Sequence, residues 1–152
     1  MNRNGFGSCA PVMRDYGPQP CVINIDRLAK QNPYYRTALW TGKHLQVTLM
    51  SIPVRGDIGL ERHPDLDQLI RIESGTALVM MGDRSSALTY RQRADRDYAI
   101  MIPAGTWHNV INIGNTPLKL YSVYAPPQHP FGVVHKTKAE AEESEKKNHP
   151  IR

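Results

Sequence analysis

Two short segments constrain this chain more than anything else in it: Gly56 to Gly75, and Pro103 to Asn112. Glu61 and His63 stand two residues apart, so on an extended strand both side chains point to one face. Gln68 opens a second strand, Gln68 to Glu73, rich in apolar and β-branched residues. His108 opens a third, Trp107 to Ile113, and Pro103 with Gly105 suit a tight turn leading into it. A closed antiparallel barrel can aim Glu61, His63, Gln68 and His108 at one interior spot.

In order and residue type, the two segments resemble the paired motifs of the cupin superfamily. In the first, Glu61 stands where the family has a histidine, His63 matches the second histidine, Gln68 replaces a glutamate, and Gly75 follows six residues later. In the second, Pro103, Gly105, His108 and Asn112 match, while Asp97 occupies the place of the leading glycine. The resemblance covers roughly residues 37–127 and implies an all-β fold, a cupin jelly-roll β-barrel, with one divalent metal inside. Glu61, His63, Gln68 and His108 are then the expected metal ligands. One carboxylate and two imidazoles with open positions suit non-haem iron(II), and manganese, nickel or zinc also fit. Exchanging a histidine for Glu61 and a glutamate for Gln68 leaves the total ligand charge unchanged. A barrel that has lost its metal is the alternative.

With 152 residues the chain is long enough for one domain with terminal extensions. We expect an N-terminal extension over 1–36, the barrel over 37–127, and a C-terminal extension over 128–152. Twelve prolines and eleven glycines, spread along the chain, suit many short strands joined by turns. Residues 24–31 read as a short helix capped by Asn24 or Asp26, packed on the barrel exterior. Strands are expected over 37–41 and 44–54, joined at Gly42-Lys43, then over 76–81, 85–91, 97–102 and 118–125. Alternation turns Ile70, Ile72, Ile100, Ile102, Val110 and Asn112 inward. Residues 137–147 read as a polar, solvated helix with Thr137 as cap and Glu140 three residues on.

No apolar run approaches the ~18 residues of a membrane span, and no secretory signal opens the chain, so a cytoplasmic protein is expected. Cys9 and Cys21 are not spaced as a metal or redox pair. The net charge of +5 comes from dispersed bases without a nucleic-acid motif. It suits attraction of an anionic small substrate rather than nucleic acid. No phosphate-binding loop or lysine–arginine clamp accompanies the motifs. For acid–base work the candidates are His129, which follows a rigid double proline, and Tyr98, with Tyr124 as a further phenol.

Glu61-x-His63 with the following Gln68, and the stretch Ala99 to Asn112, resemble small single-domain bacterial cupins of the mannose-6-phosphate isomerase-like kind. That resemblance implies a metal-dependent, sugar isomerase-like enzyme on a small oxygenated or anionic substrate, and a homodimer. A non-haem iron(II) dioxygenase and a non-catalytic small-molecule-binding cupin stand as alternatives, because one fold hosts many reactions.

Overall fold

A computed structural model describes residues 13–148. Its elements run α1 (Ile25–Gln31), β1 (Arg36–Thr41), β2 (Gln46–Ile52), β3 (Asp67–Ser74), β4 (Ala77–Gly82), β5 (Tyr90–Ala94), β6 (Ala99–Ile102), β7 (Trp107–Asn112), β8 (Leu118–Ala125), β9 (Val134–His135) and α2 (Lys138–Asn148). A six-stranded sheet, β6-β3-β8-β2-β1-β9, faces a three-stranded sheet, β5-β4-β7, and neighbouring strands pair antiparallel throughout the described residues. This is the all-β jelly roll expected from the motifs.

Strict alternation builds the interior. On β8, Leu118, Leu120, Ser122 and Tyr124 are buried while their neighbours are partly open, and β7 buries His108, Val110 and Asn112 in the same rhythm. Ile70, Ile72, Ile100 and Ile102 point inward as the pattern predicts. One end of the barrel is therefore apolar: Ile52, Ile70, Ile72, Leu118 and Leu120 are all fully buried. Each contributes about 1.5–3 kcal/mol relative to an exposed position. The other end is polar, with Gln46, Thr48, Gln68, His108, Ser122 and Tyr124 buried there.

Asn24 caps α1, its side-chain oxygen accepting from Arg27 N–H at 3.0 Å. The helix lays Leu28 and Ala29 on Leu39 and Leu49, on the outer face of the large sheet. Among the described residues no helix is long and apolar enough to cross a membrane. Cys21 is half-buried beside this outer cluster, whereas Cys9 lies outside the described residues.

Two expectations are corrected. The strand read over 85–91 forms instead at Tyr90–Ala94, because Arg84 to Ala87 closes a turn in which Ala87 N–H donates to Arg84 O at 3.1 Å. The helix over Lys138–Asn148 is not simply solvated. Ala141 is 3% exposed and belongs to the main core, and Lys138 pairs with Asp57 of the loop before β3. Its start follows the reading: Thr137 Oγ1 accepts from Glu140 N–H, and Glu140 Oε2 accepts from Lys136 N–H. A polar composition hid the seating of Ala141 in the core.

Candidate metal centre

The loop between β2 and β3 is the element that assembles the site. It runs antiparallel to β7 as an irregular extra strand, with Ile58 N–H donating to Val110 O and Asn112 N–H to Gly56 O. Glu61 and His108 exchange both backbone hydrogen bonds at 2.9 Å. Directly opposed residues of an antiparallel pair project to the same face, and His63 shares that face two residues on. The turn before β7 is held to the same loop, since Gly105 N–H donates to His63 O at 2.8 Å and Ala104 N–H to Asp67 Oδ1 at 2.9 Å. Asp67 thus shapes the turn. Asn112 is scaffold too, its amide donating to Ile52 O and Thr116 O.

One ligand atom from each of Glu61, His63 and His108 lies within 4.8 Å of the others. Glu61 Oε2 is 3.2 Å from His63 Nε2 and 3.7 Å from His108 Nε2. Ligands at about 2.1 Å from one ion stand roughly 3 to 3.5 Å apart, so small side-chain shifts complete a coordination shell. His108 is fully buried, and its Nδ1 meets Thr106 O at 2.9 Å. That bond fixes the tautomer and leaves the Nε2 lone pair aimed inward. His108 Nε2 has no hydrogen-bond partner, nor has Gln68 Oε1, whose amide nitrogen donates to Ser122 Oγ at 2.8 Å. Buried polar atoms are ordinarily satisfied. Two orphaned acceptors at one polar end of a barrel therefore fit a cation.

Burial alone would raise the Glu61 carboxyl pKa. The neighbouring His108 and His63 imidazoles, with the charge of Arg36, bring it instead to about 2. Glu61 is an anion at any physiological pH, as a ligand must be.

A cleft of about 700 Å³ opens onto Glu61 and His63, lined also by Arg62, Gln128, His129 and Glu145. His129 therefore joins the site. Its Nε2 is 3.3 Å from the Tyr124 hydroxyl, and the two rings meet edge to face at 5.1 Å. Burial, then the charge of Arg36, lowers its pKa to about 3, which keeps the ring neutral. The backbone of this segment hangs on Gln46, whose Oε1 accepts from Gln128 N–H and His129 N–H while Nε2 donates to His129 O.

Tyr98 is not brought to the trio. It is 50% exposed and lines a separate cavity with Val79, Met81 and Gln92. Tyr124, by contrast, is buried between His63 and His129, with ring centroids at 5.9 and 5.1 Å. Sequence reasoning missed two further groups. Glu145 reaches the cleft from α2, and burial followed by repulsion from Glu61 raises its pKa. Arg36 is buried in the interior two residues before Ala38; only the alternation of β1 could have flagged it.

Residues 48–124 match the model of the family described as Cupin domain. The chain is 62% identical over 130 residues to YrkC of Bacillus subtilis (strain 168), an uncharacterized protein, covering 86% of this chain and 70% of that one. It is 45% identical over 120 residues to an uncharacterized protein of Acanthamoeba polyphaga mimivirus, covering 76% and 71% of the two chains. The crystal structure of BH2720 from Bacillus halodurans superposes with a TM-score of 0.85 at 62% identity, covering 86% of this chain and 98% of that one.

Proposed function

This chain belongs to the cupin family, and from that premise we propose that it is a metal-dependent enzyme acting on a small oxygenated substrate by proton transfer, in the manner of a sugar isomerase. The observation that carries this is the convergence of Glu61, His63 and His108 within 4.8 Å, with His108 Nε2 buried and unpartnered. Glu61, His63 and His108 hold a divalent ion, iron, manganese, nickel or zinc, and Gln68 Oε1 is the fourth donor. The ion, when bound, supplies a Lewis acid that polarises substrate oxygens.

The chain's own residues do the rest. His129, at the cleft wall, is the group assigned to take up the proton at Nε2, where the Tyr124 hydroxyl lies at 3.3 Å. Gln46 fixes the height of that imidazole above the trio through the 128–129 backbone. Glu145 and Arg62 flank the mouth and orient polar substrate groups.

A non-haem iron(II) oxygenase is the second reading, favoured by the count of two histidines and one carboxylate. Pairing of two copies through the outer face of β3, β6 and β8 completes the proposal. Leu69, Met101 and Val123 line an apolar groove there, and Met101 is 61% exposed.

The test is elemental analysis of protein purified without chelators, followed by solvent deuterium exchange into α-hydroxy carbonyl compounds. About one divalent ion per chain is expected, as in other single-site metalloproteins, with exchange abolished in His129→Gln. Metal-free protein that cannot be loaded overturns the metal centre. Exchange that persists in His129→Gln overturns the assigned base, and oxygen consumption by the iron-loaded form in place of exchange favours the second reading.

A further inference from the structure

β5 and β6 leave one short turn, residues 95–98, yet they enter different sheets: β5 edges the small sheet and β6 the large one. Among the described residues no ladder joins them, so the barrel wall is open along this seam. The register shows where the seam leads. Val79 stands opposite Gln92 on one side and Val110 on the other, and Met81 opposite Tyr90 and His108. Opposed residues of antiparallel strands share a face, so Tyr90, Met81 and His108 form one inward row. On the other wall Gln68 stands opposite Ile102 and Tyr124, and all three are buried. Strands that diverge from a turn are farthest apart at the ends away from it. For β5 and β6 those ends are Tyr90 and Ile102, level with His108 and Gln68.

A cavity of about 210 Å³ occupies the seam. Val79, Met81, Ala94 and Ile100 form its floor, in the main core or packed against it, while Tyr90 and Gln92 form an exposed rim. Among the described residues no Asp, Glu, Lys, Arg or His lines it. The polar cleft differs in kind. Glu61, Arg62 and Glu145 line it, but neither His108 nor Gln68 does. Those two side chains carry the orphaned acceptors, and their register neighbours on the seam side are Met81 and Ile102. Met81 is itself a wall of the cavity. A methionine side chain is unbranched and adaptable, so it forms a partition that a small molecule can push aside.

A space of this size and lining suits a small apolar molecule rather than an ion or a hydrated sugar, since dry apolar cavities take up guests such as xenon or benzene. Dioxygen is the reactant of that class for a ferrous centre of two histidines and one carboxylate. We propose that the β5–β6 seam is a binding site for dioxygen, and that Met81 admits it to the His108 side of the metal centre, apart from the cleft that takes the polar substrate. The proposal rests on the iron reading, the second given above, and deepens it to the route of its apolar co-substrate.

The test uses the full chain, metal-free and with labelled methyl groups, under dissolved dioxygen; nuclear magnetic resonance reads the paramagnetic relaxation of each methyl. Met81 and Ile100 are expected to relax about 10-fold more than Ile52 and Leu118, the enrichment of a two-atom apolar guest moved from water into a dry space. Ile52 and Leu118 are fully buried at the packed apolar end and serve as the reference. Equal relaxation at the two places overturns the site. Gln92→Trp, at the exposed rim, is expected to bring Met81 to within about 2-fold of Ile52. Relaxation of Met81 unchanged in that folded variant also overturns the site.

Delivery is read separately, as the rate at which nitric oxide, a stand-in for dioxygen, binds to anaerobic iron(II)-loaded protein in stopped flow. Gln92→Trp is expected to slow binding by about 10-fold, and equal rates in the two proteins overturn the route through the seam. Failure to take up iron overturns the metal reading and delivery with it, while the methyl relaxation of metal-free protein still decides the site.

Discussion

His129 makes the stability of this protein depend on pH in a predictable window. In an unfolded chain a histidine takes up its proton near pH 6.5. In the fold, burial and the charge of Arg36 delay that event to about pH 3. Between those values the unfolded chain binds more protons, so stability rises with pH. The contribution of His129 is complete above about pH 6.5 and is lost progressively as pH falls towards 3. The slope is about 1.4 kcal/mol per pH unit, so a step from pH 6.5 to 5 costs about 2 kcal/mol. Partial exposure of the ring makes that an upper value. With a urea m-value of about 2 kcal/mol/M, the midpoint falls by up to ~1 M over that step. The assay is urea unfolding of metal-free protein followed by fluorescence of Trp40 and Trp107, for wild type and His129→Gln. Titration of other groups, His135 included, is common to both proteins and cancels in the difference. The two midpoints are expected to converge as pH falls from 6.5 to 5. A difference that stays constant across that range refutes the reasoning, because it means His129 titrates alike in both states.

Other substitutions address the site and its frame. His108→Ala is expected to abolish binding of a divalent ion while leaving the far-ultraviolet circular dichroism unchanged; loss of the fold would make the metal structural. Gln68→Leu is expected to weaken metal binding by about 10-fold, and Gln68→Glu to restore or tighten it, as measured by competition with a chromogenic chelator. Equal affinities across the three would remove Gln68 from the ligand set. Gly75 has φ +99°, and a Cβ there would lie 3.2 Å from Leu118 Cα. Gly75→Ala should therefore cost about 1–3 kcal/mol in chemical denaturation, and a neutral effect would deny the strain.

Much of this was legible in local spacing. The two-residue interval between Glu61 and His63, and the alternation from His108 to Asn112, place those side chains on one face whatever the rest of the chain does. Even the departure at Asp97 is explained locally: its φ is +72°, a conformation that glycine adopts freely and aspartate tolerates better than most residues. Arg36 and Glu145 were not legible, because neither stands at a spacing from the motif residues that marks it as part of a site. They reach the site only when β9 pairs with β1 and α2 seats Ala141 in the core, contacts that span about a hundred residues. The shift of β5 has a similar origin. Its outward residues are nearly all exposed, so no apolar rhythm marked its ends.

Gln46 grips residues 128 and 129 by their main chain alone. The attachment is therefore indifferent to which side chain stands at 129, and a replacement there would be delivered to the same address. Such a socket lets a lineage swap one reactive group for another without rebuilding the barrel that presents it.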